Sequence, residues 1–167
     1  MRKFALIAAI ALTSTLSLSA CNKPQDDQQA APAQAQAVAK PTNPNDAKAW
    51  NEYLGDLVQK NLQGMTAGQP FAYLVDAADT DAAKANNDRQ LSNVKDTVAR
   101  GVLPGNLMAF AGPNSGKTAD LLVAAFQDAK PGSFKDVIVL FIGDKADEQR
   151  VSDAIKPTGA TFRFVAM

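Results

Sequence analysis

The chain has 167 residues, with 17 Lys+Arg against 17 Asp+Glu, no histidine and a single cysteine. Charges this evenly matched exclude a nucleic-acid surface, which needs a clustered basic excess. Without histidine, and with the one cysteine at position 21, Cys/His metal centres, haem ligation by histidine and nucleophiles worked by a histidine base are all disfavoured. Any catalysis then falls to carboxylates, lysine, tyrosine or hydroxyls, and neither a cofactor nor a bound metal is expected.

The chain opens Met1-Arg2-Lys3 and then runs uncharged from Phe4 to Leu18, interrupted only by hydroxyls. This apolar run of roughly 15 residues is short for a bilayer crossing, which takes about 20, and suits a cleaved export signal. It ends Leu18-Ser19-Ala20-Cys21. These four residues resemble the lipobox of bacterial lipoproteins, in which small residues ahead of the cysteine fit the signal peptidase and the thiol receives diacylglycerol. The resemblance implies a signal peptide at 1–20, cleavage after Ala20 and a lipid anchor, diacylglycerol with palmitate-type acyl chains, on Cys21. Lipidation also accounts for a lone cysteine, which can form no internal disulfide. Two or three acyl chains make a stable membrane anchor where one does not.

Past residue 21 the balance turns slightly acidic: taking the two bases of residues 1–21 from 17 leaves 15 against 17 acids. Residues 22–45 are rich in Ala, Gln, Pro and Asn, with Val38 the only sizeable apolar side chain. Such a stretch buries too little surface to offset its ordering entropy, which predicts a disordered tether over 21–45. As a flexible coil it would span roughly 27 Å, and roughly 80 Å fully extended.

From Asn45 or Asp46 the pattern turns helical. Trp50, Tyr53, Leu54, Leu57, Val58 and Leu62 share one face, with an Asn/Asp cap in front and Gly64 behind. Phe71 to Val75 is a short β-prone run, followed by an acidic turn with Asp76, Asp79 and Asp81. A second helix is predicted from about Asp81 to Arg100, carrying Leu91, Val94 and Val98 and stopping near Gly101. After the turn Leu103-Pro104-Gly105, Asn106 to Ala111 suits a strand and Lys117 to Ala129 a third helix. Val137 to Ile142 is apolar at every position, as a strand buried on both faces requires. Asp144 is placed to cap a fourth helix bearing Val151, Ala154 and Ile155, with Asp147 near its positive end. Beyond Pro157 and Gly159, Thr161 to Val165 alternates at its start, which suits an edge strand.

The order after the first helix is βαβαβαβ with short connections, which predicts an α/β fold. The expected architecture is a three-layer α/β/α sandwich over residues 46–167. Its mainly parallel sheet has about four strands, the third central and the fourth at an edge, and an N-terminal helix precedes it. About 122 residues are ample for one core.

One segment carries a chemical suggestion. Residues 111–118 read Ala-Gly-Pro-Asn-Ser-Gly-Lys-Thr between a predicted strand and a predicted helix. They resemble the Walker A loop of P-loop nucleotidases, most of all its Gly-Pro-Asn-Gly-Ser-Gly-Lys-Thr wording in ABC transporter ATPases. The resemblance implies Lys117 as the phosphate lysine, Thr118 as the magnesium hydroxyl and Asp144 as an acid at the end of a neighbouring strand. Ser115, Gly116, Lys117, Thr118 and Asp144 are therefore the candidate anion-binding residues. The chain departs from the pattern where Ala111 stands in place of a glycine and Gly112 comes one residue late. An exported domain also lies outside the compartment that holds ATP. The simpler expectation is a turn at Gly112-Pro113-Asn114, a helix cap at Asn114 or Ser115, and a solvated Lys117.

Asp76, Asp79, Asp81 and Asp144 could together face a cation at the carboxyl ends of the strands, but acids ahead of helices are the ordinary caps and dipole partners. Trp50 and Tyr53 are expected to dock the first helix on the sheet, and Phe162 and Phe164 to join the core. The leading expectation for function is a membrane-anchored, extracytoplasmic lipoprotein acting as a non-catalytic binding or protein-interaction module, with no catalytic residue assigned. Its partners would be the membrane, through the lipid on Cys21, and an envelope protein, with no nucleic acid. The alternatives are phosphate or anion binding at 112–118 and an inhibitor or immunity-type lipoprotein. Asn22, in place of the aspartate that resembles an inner-membrane retention signal, points to the outer membrane facing the periplasm.

Overall fold

A computed structural model describes residues 38–167; the predicted signal peptide, the lipobox and most of the tether lie outside the described residues. Helix α1 (Ala47–Lys60) starts at Asp46, whose side chain accepts from the Ala49 amide at 3.0 Å. The last residues assigned to the tether are held by the domain, since Trp50 Nε1 donates to the Asn43 carbonyl at 2.9 Å. Then follow β1 (Phe71–Leu74), α2 (Asp81–Arg100), β2 (Leu107–Ala111), α3 (Ser115–Phe126), β3 (Ile138–Gly143), α4 (Lys145–Ile155) and β4 (Thr161–Ala166). Thr80 caps α2 through its hydroxyl and Asn114 caps α3 through its amide oxygen. Asp144 occupies the corresponding position before α4 in extended backbone, but its side chain makes no cap bond.

All four strands are parallel and pair in chain order, β1-β2-β3-β4. Every crossover therefore steps in the same direction, and right-handed connections of that kind put their helices on one face of the sheet. The packing agrees. Val94 and Val98 of α2, Leu122 and Phe126 of α3 and Val151 and Ile155 of α4 share a core with Met108, Phe110, Val139 and Phe141. On the opposite face α1 stands alone, its Trp50, Tyr53, Leu54 and Val58 packed on Leu107, Ala109, Ala111, Ile138, Leu140 and Ile142. The sandwich thus has three layers, with three helices on one side and one on the other.

β2 and β3 are buried at every position, whereas β1 and β4, at the two edges, are exposed or half-buried. Strand centrality is shared by β2 and β3 because the order never reverses. Phe162 and Phe164 are half-buried against the three-helix core. Aromatic rings run through that core, with Tyr73 stacked on Phe110 at 4.9 Å and Phe126 tilted on Phe134 at 5.2 Å. No helix among the described residues is long and apolar enough to cross a membrane.

Candidate functional site

The carboxyl ends of the strands are where ligands of open parallel sheets gather, most often at a point where strand order reverses. This sheet has no reversal, so its βα loops stand side by side and pack on one another. After β2, Gly112, Pro113 and Asn114 turn the chain into α3. The Asn114 side chain accepts from Lys117 N at 3.0 Å, and its carbonyl accepts from the Thr118 hydroxyl at 3.0 Å. Thr118 is fully buried, its hydroxyl spent on its own helix. A Cβ at Gly112 would lie 2.5 Å from the Val75 carbonyl oxygen and 2.7 Å from Thr118 Oγ1, so only glycine lets β2, the end of β1 and α3 meet this closely.

Lys117 is not solvated as a free surface lysine. Its Nζ reaches the β1–α2 loop, donating to Ala77 O at 2.7 Å, Ala78 O at 3.2 Å and Asp79 Oδ1 at 2.6 Å. The ammonium satisfies carbonyls that the end of β1 leaves unpaired, and its hydrogen bond and charge hold the Asp79 carboxyl below the usual carboxylate range. The sequence expectation missed this because Asp79 is 38 residues away.

Ser115 faces the neighbouring loop. Its hydroxyl donates to Asp147 Oδ2 at 2.5 Å and accepts from the Asp144 amide at 2.7 Å, tying the first turn of α3 to that of α4. The hydrogen bond from Ser115, aided by Arg150, depresses the Asp147 pKa. Arg150 in turn donates to Asp147 at 2.9 Å, Asp120 at 2.5 Å and Gly116 O at 3.0 Å, and these carboxylates raise its own pKa further. Gly143 allows the approach, because a Cβ there would lie 2.7 Å from Ser115 Oγ and collide with the Phe141 ring.

The five candidate anion-binding residues thus sit at one edge of the sheet but do not converge on one space. Ser115 and Asp144 meet, through the Asp144 amide; Gly116 receives Arg150; Lys117 turns to the other side; Thr118 points inward. An anion near Ser115 would meet the Asp147 carboxylate, and the nearest arginine already serves two acids. The arrangement works as a set of interlocking caps. The acidic candidates are likewise dispersed: Asp76 accepts from Asn86 at 3.1 Å, Asp79 pairs with Lys117, and Asp81 is exposed in the first turn of α2. Among the described residues no group of three acidic or sulfur and imidazole side chains is arranged to hold a metal ion, and no buried side-chain nitrogen or oxygen lacks a partner.

One concavity at this edge was not anticipated. A cleft of about 540 Å³ lies at the carboxyl end of β1, beside the start of α1, walled by Pro44, Trp50, Asp76, Asp79, Thr80 and Pro113. Trp50 is buried beneath it and packs edge-on against Tyr53 at 5.7 Å. Comparison with protein-family models, with curated proteins and with solved structures gave no match to this chain. Function is therefore argued from the residues themselves.

Proposed function

We propose that the chain is a bacterial lipoprotein, cut before Cys21, anchored by lipid on that cysteine and standing on a tether as a non-catalytic binding or protein-interaction module. The observation that carries the reading is Leu18-Ser19-Ala20-Cys21, placed directly after a charged start and an uncharged run, with Cys21 the single cysteine. The geometry of the globular part supports the second half of the reading. The hydroxyls, lysine and arginine at the carboxyl edge are engaged with caps and loop carbonyls, and a nucleophile needs an adjacent base that these partners do not supply.

Expression in a bacterium with labelled palmitate tests the anchor. Label is expected in the full chain and absent from Cys21→Ser, which should also leave the membrane fraction; equal label in both would overturn it. Asn22 supports placement in the outer membrane, and Asn22→Asp is expected to move the protein toward the inner membrane in bacteria that use that signal. Turnover in a broad substrate screen, abolished by changing one loop residue, would overturn the non-catalytic module. Capture of one stoichiometric envelope hydrolase would specify the module as an inhibitor or immunity-type lipoprotein.

A further inference from the structure

The outer edge of β1 is treated differently along its length. Val75 N donates to Ala111 O at 2.8 Å, which sets the phase of the strand: Phe71, Tyr73 and Val75 direct their backbone groups to β2, and Ala72, Leu74 and Asp76 direct theirs away from the sheet. Toward the carboxyl end, amide side chains of α2 stand in for a missing strand. Asn87 accepts from Asp76 N at 2.9 Å and donates to Asp76 O at 3.0 Å, and Gln90 donates to Leu74 O at 2.7 Å. Toward the amino end, the outward groups of Ala72 and the Leu74 N–H have no such amide partner among the described residues. Phe71, beside them, is 42% exposed.

Two hollows flank this open half, on opposite faces of the strand. On the α1 side a groove of about 220 Å³ is lined by Leu54, Gly55, Val58, Ala72, Ala109 and Ala111, and no atom lies within 4 Å of a Cβ built at Gly55. On the α2 side a pocket of about 370 Å³ is lined by Tyr73 and the amides Asn86, Asn87, Gln90 and Asn93. Successive side chains of an extended segment point to opposite faces, so a strand laid along β1 would send alternate residues into a small apolar groove and onto a row of amides.

We propose that the open half of the β1 edge receives an extended segment of an envelope protein as a fifth strand, one whose small apolar residues alternate with amide or hydroxyl residues. Main-chain hydrogen bonds to Ala72 and Leu74 supply affinity, and the two hollows supply selectivity. A second copy pairing β1 to β1 would bring its own α2, with Asn87 and Gln90 projecting past the same edge, against this one; a bare segment brings no helix. The proposal rests on reading the domain as an interaction module and names the surface and the class of partner.

The test uses the full chain in mild detergent and two labelled synthetic peptides of the same composition, one alternating alanine with glutamine and one with those residues in separate blocks. Anisotropy should show the alternating peptide binding with a dissociation constant below about 1 mM, at least about tenfold tighter than the block isomer. Gly55→Leu fills the groove from a position with open space above it, and should weaken binding about tenfold while the melting temperature holds or rises. Ala72→Pro, which removes an outward N–H, should weaken it similarly. Absence of binding, or equal affinity for wild type and Gly55→Leu, overturns the proposal. So does a concentration-dependent dimer abolished by Ala72→Pro, which would give the edge to a second copy. Palmitate labelling and the turnover screen are independent of these outcomes, so failure of peptide binding and failure of the lipoprotein module are separable.

Discussion

The carboxyl ends of the strands and the outer edge of β1 both present backbone groups that the sheet leaves without partners, and the chain handles them in opposite ways. At the carboxyl ends three loops are locked together by Lys117, Ser115, Asp147 and Arg150, with Gly112 and Gly143 permitting contact that a Cβ would forbid. At the β1 edge the amides of α2 close one half, and the other half faces a groove with open space above Gly55. A motif that reads like a ligand loop has become structural cement, and a strand with no motif has been left open. The lesson is that unspent hydrogen-bonding capacity marks a surface better than suggestive wording does.

Substitutions at the two places should therefore differ in size and in sign. Gly112→Ala forces a methyl into the Val75 carbonyl and Thr118, and a urea titration should show a loss of about 2 to 3 kcal/mol; an unchanged midpoint would mean that the loops are not close-packed. Lys117→Met leaves the Ala77 and Ala78 carbonyls without their donor and should cost about 1 to 2 kcal/mol. Hydrogen exchange should quicken at the start of α2, and the Asp79 carboxyl should titrate closer to its ordinary range; a chain that instead loses only phosphate or nucleotide binding would restore the anion-loop reading.

Ser115→Ala sharpens the same region through pH. Its hydroxyl is the largest influence holding the Asp147 pKa low, so the stabilisation is complete above the unfolded carboxylate pKa of about 3.9 and fades as pH falls through the lower folded value. The stability gap between wild type and Ser115→Ala should be flat near neutrality and narrow in acid; a gap that widens in acid would contradict the assignment. The smallest effect has the opposite sign. Gly55→Ala, exposed on α1 with nothing near its Cβ, should stabilise the chain by about 0.5 to 1 kcal/mol through helix propensity, measured as a raised melting temperature.

Much of the fold was legible in the residues. Asp46 and Thr80 ahead of their helices, Gly101 after α2, and the unbroken apolar run of β3 are short-range signals, and the helix and strand bounds they predict differ from the observed ones by a few residues. Helix α3 starts at Ser115 and not at Lys117, because the Asn114 cap sets the first turn earlier than the apolar periodicity does. The candidate site was less legible. That Asn114 caps could be expected from its type and place; that Lys117 is bound to Asp79, and Ser115 to Asp147, could not, since each partner lies 32 or more residues away in sequence.

What the sequence by itself determined is the local grammar: the lipobox at Cys21 as a processing expectation, the caps, and the alternation that implies a parallel α/β sheet. What the tertiary structure decided is adjacency. A strand order that never reverses puts α2, α3 and α4 on one face, brings consecutive loops into contact at the carboxyl edge, and leaves α1 alone on the other face beside a half-open strand. Hydrogen-bond partners at that edge follow from which loops are neighbours, and neighbours are chosen by the packing of the whole sheet, which no window of local sequence contains.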